Sequence, residues 1–134
     1  MVKILNVTQL VPQKVPRITT RVHAQDSLGA SHTAVWEQWI DPPGFIPLHY
    51  HDTEEVIAIL SGCLVLRMAD EDVRLVAPAT VILAAHEIHG MRVDGDASVH
   101  LMAAFPTATP QIFDPQGKPR PLPQHDEETT SDPS

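Results

Sequence analysis

Histidines and glutamates crowd into two short stretches. "LHYHDTEEV" carries His49, His51, Glu54 and Glu55, and "AAHEIHG" carries His86 and His89. Along an extended strand, side chains alternate faces with a period of two. His49 and His51 therefore point the same way, and Glu55 shares their parity beyond a turn at Asp52–Thr53. Glu54 has the opposite parity and reads as a solvated neighbour. Two imidazoles and a carboxylate on one face make a common donor set for a divalent transition metal. A fourth donor must come from elsewhere, and His86 and His89 are the candidates. The plain alternative is an exposed His-x-His pair that holds nothing. Against it, Glu55 runs straight into the apolar "VIAIL", where a charge is costly unless something compensates it. A bound cation would do so.

The elements that must hold these residues are short. "ITTRVHAQ" (Ile18–Gln25) and "SHTAVWEQWI" (Ser31–Ile40) alternate apolar and polar residues and end at the turn signals "DSLGA" and "DPPG". "EEVIAILSG" follows the histidine patch. "CLVLRM" and "VRLV" flank "ADED" and read as a hairpin. "ATVILAA" (Ala79–Ala85) is a short buried strand, and "ASVHLMAAF" (Ala97–Phe105) is the last clear one. Thirteen prolines leave little room for long helices. Short strands punctuated by Gly, Pro and Asp predict an all-β sandwich or barrel. Residues 1–110 are expected to form one domain. Residues 111–134 read as a Pro-rich, acidic extension, in part disordered, with Ile112 and Phe113 able to dock on the barrel.

Composition narrows the partners. The 134 residues suit one domain, and 43% hydrophobic against 4% aromatic residues means an aliphatic core. A net charge of −8 argues against nucleic acid and anionic membranes. No segment has the length of a membrane span, and the N-terminal stretch lacks a signal-peptide pattern. One cysteine, Cys63, excludes an intrachain disulfide. The expectation is a cytoplasmic protein.

The spacing in the first stretch resembles the first motif of the cupin family, G-x5-H-x-H-x3,4-E-x6-G. Here Gly44, four residues, His49-Tyr50-His51, three residues, Glu55, six residues and Gly62 follow one another. The second motif, G-x5-P-x-G-x2-H-x3-N, is met only at its histidine, His89. Pro78, Ala84, His86 and Val93 stand at its other positions. The resemblance implies a double-stranded β-helix, or jelly-roll, barrel of six to eight strands. It implies one divalent transition metal (Fe, Mn, Ni, Cu or Zn) held by His49, His51, Glu55 and His89. Gly62 would serve a tight turn after a strand.

Such a ligand set leaves a coordination position open for substrate or dioxygen. It therefore points to a metal-dependent enzyme acting on a small organic acid or carbonyl compound. Oxygen-dependent cleavage is the first choice, with isomerase and lyase activities beside it. Glu55 could double as a base, and His86 could position substrate or transfer a proton, although a loop histidine in a turn glycine's place is more often simply exposed. A non-catalytic small-ligand sensor is the alternative class. His23, His32 and His100 read first as structural or surface residues. Only one of Trp36 and Trp39 can face the interior. Arg67, Arg74 and Arg92 could meet an anionic substrate. The strand-like "VKILNV" near the N-terminus and apolar residues in "TVILAA" suggest a homodimer.

Overall fold

The structure is a computed structural model that describes residues 1–123. Twelve strands account for nearly all of its regular structure: β1 (Gln13–Val15), β2 (Ile18–Ala24), β3 (Ala34–Ile40), β4 (Phe45–His49), β5 (Glu55–Ser61), β6 (Cys63–Met68), β7 (Asp72–Val76), β8 (Ala79–Leu83), β9 (His89–Val93), β10 (Val99–Phe105), β11 (Ile112–Phe113) and β12 (Pro119–Arg120). A six-stranded antiparallel sheet, in the order β1-β2-β3-β10-β5-β8, packs against a four-stranded one, β4-β9-β6-β7. β11 and β12 form a separate two-stranded ribbon. This is the double-stranded β-helix expected from the sequence. The expected hairpin of "CLVLRM" and "VRLV" is β6–β7.

The strands form where the period-two pattern is cleanest. In β10, Val99, Leu101, Ala103 and Phe105 are buried while His100, Met102 and Ala104 are partly exposed. In β5 the inward row is Glu55, Ile57, Ile59. The glutamate thus occupies an inward position of a core strand. Around it lies an aliphatic core completed by Trp36, Met91 and Phe105.

Two glycines let the strands approach as the site requires. Gly62 joins β5 to β6 with φ of 95°, and a Cβ there would sit 2.6 Å from the Ser98 carbonyl oxygen. Gly90 lies where β9 crosses β4, and a Cβ would sit 2.7 Å from the Ile46 carbonyl oxygen. That close crossing sets His49 directly opposite His89 in the β4–β9 register.

The N-terminal "VKILNV" forms no strand. Val2 and Ile4 are exposed, and the segment is tied down by Lys3 Nζ, which donates to the Gly29 carbonyl at 2.6 Å. The strand propensity of these residues goes unused, since none of them pairs with a sheet. Residues 111–123 lie along the barrel, with Ile112 and Leu122 packed on the core. The expectation of disorder in the acidic end from Gln124 falls outside the described residues.

Candidate metal centre

The two sheets bring four of the candidate residues together. His49 ends β4, Glu55 begins β5, His89 begins β9, and His51 follows β4 on chain that stays extended. That extension is held by Tyr50, whose N–H and C=O each bond to Phe113 at 2.9 Å. Parity therefore carries from His49 to His51, as the spacing predicts. One ligand atom from each of the four residues lies within 4.8 Å of the others, and all four residues are buried.

The three imidazoles are held alike. Nδ1 of His49 donates to the Pro47 carbonyl at 2.9 Å, that of His51 to Gln111 at 2.7 Å, and that of His89 to Glu87 at 2.8 Å. A carbonyl oxygen only accepts, so each Nδ1 carries a hydrogen, and the neutral form of such a ring has its lone pair on Nε2. The Nε2 atoms of His51 and His89 lie 3.2 and 3.1 Å from Glu55 Oε1. Backbone acceptors of this kind orient metal-binding histidines and raise their basicity.

Electrostatics favour the ligating protonation states. Burial lowers His49 to about 4, the neighbouring His89 adds to this, and the ring stays neutral near pH 7. Burial alone would raise the Glu55 carboxyl, but the Nε2 atoms of His51 and His89 beside Oε1, which donate to it whenever they carry a hydrogen, outweigh burial and hold it at about 2. A cation that displaced those hydrogens would meet a buried carboxylate and three Nε2 lone pairs, a set that fits a divalent cation in size and chemistry.

The cluster sits at one side of a cavity of about 200 Å³. The walls are mostly apolar, with Ile46, Ile57, Met91 and Leu101 prominent. Ile112, Arg120 and Pro121 close part of it. Sequence signals for these were weak, because a Pro-rich stretch past the last long strand carries no periodic pattern.

His86 does not join the cluster. Its side chain is exposed, its ring centroid lies 5.6 Å from that of Tyr50, and it is not among the residues lining the cavity. The expected acid–base role thus has no cavity-facing geometry behind it. What the position requires is backbone conformation: His86 has φ of 68°, and its N–H donates to the His51 carbonyl at 2.7 Å. A left-handed residue is what the glycine of the second cupin motif would supply.

The remaining candidates lie elsewhere. His23 and His100 each bond Glu37 at 2.7 Å on the outer face of the six-stranded sheet, where Trp39 stacks on His100. Trp36 faces inward, its ring centroid 6.5 Å from that of His51. His32 is exposed. Arg67 and Arg92 are exposed, and Arg74 pairs with Asp94 at 2.7 Å.

The sequence profile of the cupin domain family matches residues 36–105. The chain belongs to the cupin family. No curated protein sequence matches this cupin significantly. Among solved structures it is similar to the polyketide cyclase RemF from Streptomyces resistomycificus, with a TM-score of 0.70 at 19% identity, over 99% of this chain and 90% of that one. It is similar to KdgF from Halomonas sp., with a TM-score of 0.60 at 18% identity, over 71% and 86% of the two chains. The oxalate decarboxylase of Lactobacillus farciminis, in a formate complex, matches with a TM-score of 0.70 at 16% identity, over 81% of this cupin but 34% of the larger chain. At such identities the likeness concerns the fold.

Proposed function

We propose that this cupin binds one divalent transition metal (Fe, Mn, Ni, Cu or Zn) through His49, His51, Glu55 and His89. With it, the protein acts as an enzyme on a small organic acid or carbonyl compound. The observation that carries this reading is the shared orientation of the three histidines, whose Nδ1 atoms all donate to backbone carbonyls. That leaves three Nε2 atoms and a carboxylate oxygen converging beside a cavity. When bound, such a metal supplies Lewis acidity and an open coordination position. Glu55 holds negative charge beside it and is, among the described residues, the one lining carboxylate that could accept a proton.

Oxygen-dependent cleavage is the reaction class we assign first, with isomerase or lyase chemistry next. Among the described residues the cavity offers no general acid or base beyond the proposed ligand set, which suits chemistry centred on the metal. The same scarcity favours a second reading, a non-catalytic small-ligand binder. The names of the similar structures, a polyketide cyclase and oxalate decarboxylases, support a ligand bearing carbonyl or carboxylate groups. We also assign a homodimer, built on an apolar outer face of the six-stranded sheet.

Elemental analysis after metal supplementation tests the site. Wild type is expected to carry close to one metal per chain and His51→Ala to lose most of it. A wild type that takes up none and gains no thermal stability refutes the assignment. Oxygen uptake with small enols or diketones separates enzyme from binder.

A further inference from the structure

The C-terminal ribbon places an arginine where composition gave no reason to look for one. β11 and β12 pair antiparallel with Ile112 opposite Arg120 and Phe113 opposite Pro119. Residues directly opposite share a face of the ribbon. Ile112 and Arg120 both line the cavity that holds the His-Glu cluster. Phe113, on the other face, stacks on Tyr50 at 5.2 Å between ring centroids. The ribbon is thus anchored from behind and presents one aliphatic and one cationic side chain inward.

Arg120 is only partly exposed, and among the described residues its guanidinium has no hydrogen bond or ion pair. Among the described residues the one carboxylate lining the cavity is Glu55, whose Oε1 already faces His51 and His89. Apart from Arg120, the cluster residues and Gln38, the cavity lining is apolar, with Ile46, Ile57 and Leu101 among it. A guanidinium in such a place gains most from a planar anion that it can meet with two parallel hydrogen bonds.

We infer that Arg120 is the carboxylate anchor of this cupin, and that the ligand spans the cavity between it and the metal cluster. The ligand class is a small carboxylate with a short apolar body and a carbonyl or hydroxyl oxygen at its far end. The inference rests on the metal reading for the far end and on Arg120 alone for the near end. The cavity volume of about 200 Å³ lies below the ~300–1,000 Å³ typical of drug-sized ligands, so the body is small. Bulky or polyhydroxylated ligands are disfavoured by the aliphatic walls.

The test compares 5-oxohexanoate, whose ketone and carboxylate stand at opposite ends of a three-carbon apolar body, with heptane-2,6-dione, in which an uncharged acetyl group replaces the carboxylate. Binding is followed by the visible absorption of Co(II)-loaded protein and, for metal-free protein, by saturation-transfer NMR. Wild type is expected to bind the acid at least tenfold more tightly than the dione. Arg120→Gln should abolish that preference and Arg120→Lys should keep part of it. Cobalt content, melting temperature and dione affinity should hold steady in both variants. If Arg120→Gln keeps the preference, or wild type shows none, Arg120 is a side chain that packs its stem and directs its head to solvent, and the inference falls. If wild type takes up no cobalt yet the metal-free protein shows an Arg120-dependent preference, the metal assignment fails and the anchor stands.

Discussion

At the scale of single residues, the buried cluster ties stability to pH. In the folded chain His49 is lowered to about 4 from an ordinary 6.5, and Glu55 to about 2 from 4.5. For both groups the unfolded chain binds more protons than the folded one in the window between the two values. Stability then rises with pH there. The contribution of His49 is complete above about pH 6.5 and is lost as pH falls towards 4. That of Glu55 is complete above about 4.5 and is lost towards 2. Metal-free protein is therefore expected to melt at progressively lower temperature below pH 6.5, and His49→Gln should flatten the upper part of that slope. Thermal melts across pH 3–8 after chelation check this, and a flat profile in that range counts against the buried, neutral state of His49. His86 gives a second prediction of the opposite kind. A non-glycine residue at φ of 68° carries strain that glycine does not. His86→Gly should leave metal content and turnover unchanged while raising stability by up to about 1 kcal/mol, or about 2–4 °C in melting temperature. A drop in turnover would restore a chemical role to the ring.

At the scale of elements, legibility tracked the strength of local pattern. β2, β3 and β10 alternate, and β5, β6 and β8 are short apolar runs bounded by turn residues, so these six could be read from sequence. The His49-x-His51 parity survived because Tyr50 bridges to Phe113 and keeps the chain extended. β9 was hard to see. Its five residues begin at a candidate ligand, include a glycine and are buried at four positions, so no alternation shows. β11 and β12 have two residues each, too few for any period. The cost of missing them is specific, since Gln111, whose carbonyl orients His51, and Arg120 both belong to that segment. Phe113→Ala tests its importance. Without the ring that stacks on Tyr50, the ribbon loosens and the Gln111 carbonyl no longer holds His51 Nδ1 at 2.7 Å. Metal affinity should fall by about 10–100-fold, the usual loss when an outer partner of a ligand is removed. Competition with a chelator reads it, and Phe45→Ala, at an exposed aromatic on β4, should change nothing.

At the scale of the whole molecule, the outer face of the six-stranded sheet divides in two. One part is polar, with Glu37 held between His23 and His100 and with Arg21 over Trp39. The other is an apolar row that crosses four strands, because the registers set Ile82 beside Val56, Val56 beside Ala104, and Ala104 beside Val35. Ile82 is 68% exposed and Leu60, on the same face of β5, is 47% exposed. β8 is also an edge strand, so its outer backbone groups are open to pairing. A contiguous apolar row at a sheet edge favours burial against another surface. Two copies meeting through it about a twofold axis would cover Ile82 with the partner's own apolar row, and the exposed Val2 and Ile4 could be drawn in. Light scattering at micromolar concentration is expected to give the dimer mass. Ile82→Glu should shift it to monomer, because two carboxylates would face one another at the axis, while metal content stays at wild-type level because the side chain points away from the cluster. A wild-type monomer mass would leave the row exposed in solution and remove the dimer from this picture. A dimer that survives Ile82→Glu would move the interface to another face of the barrel.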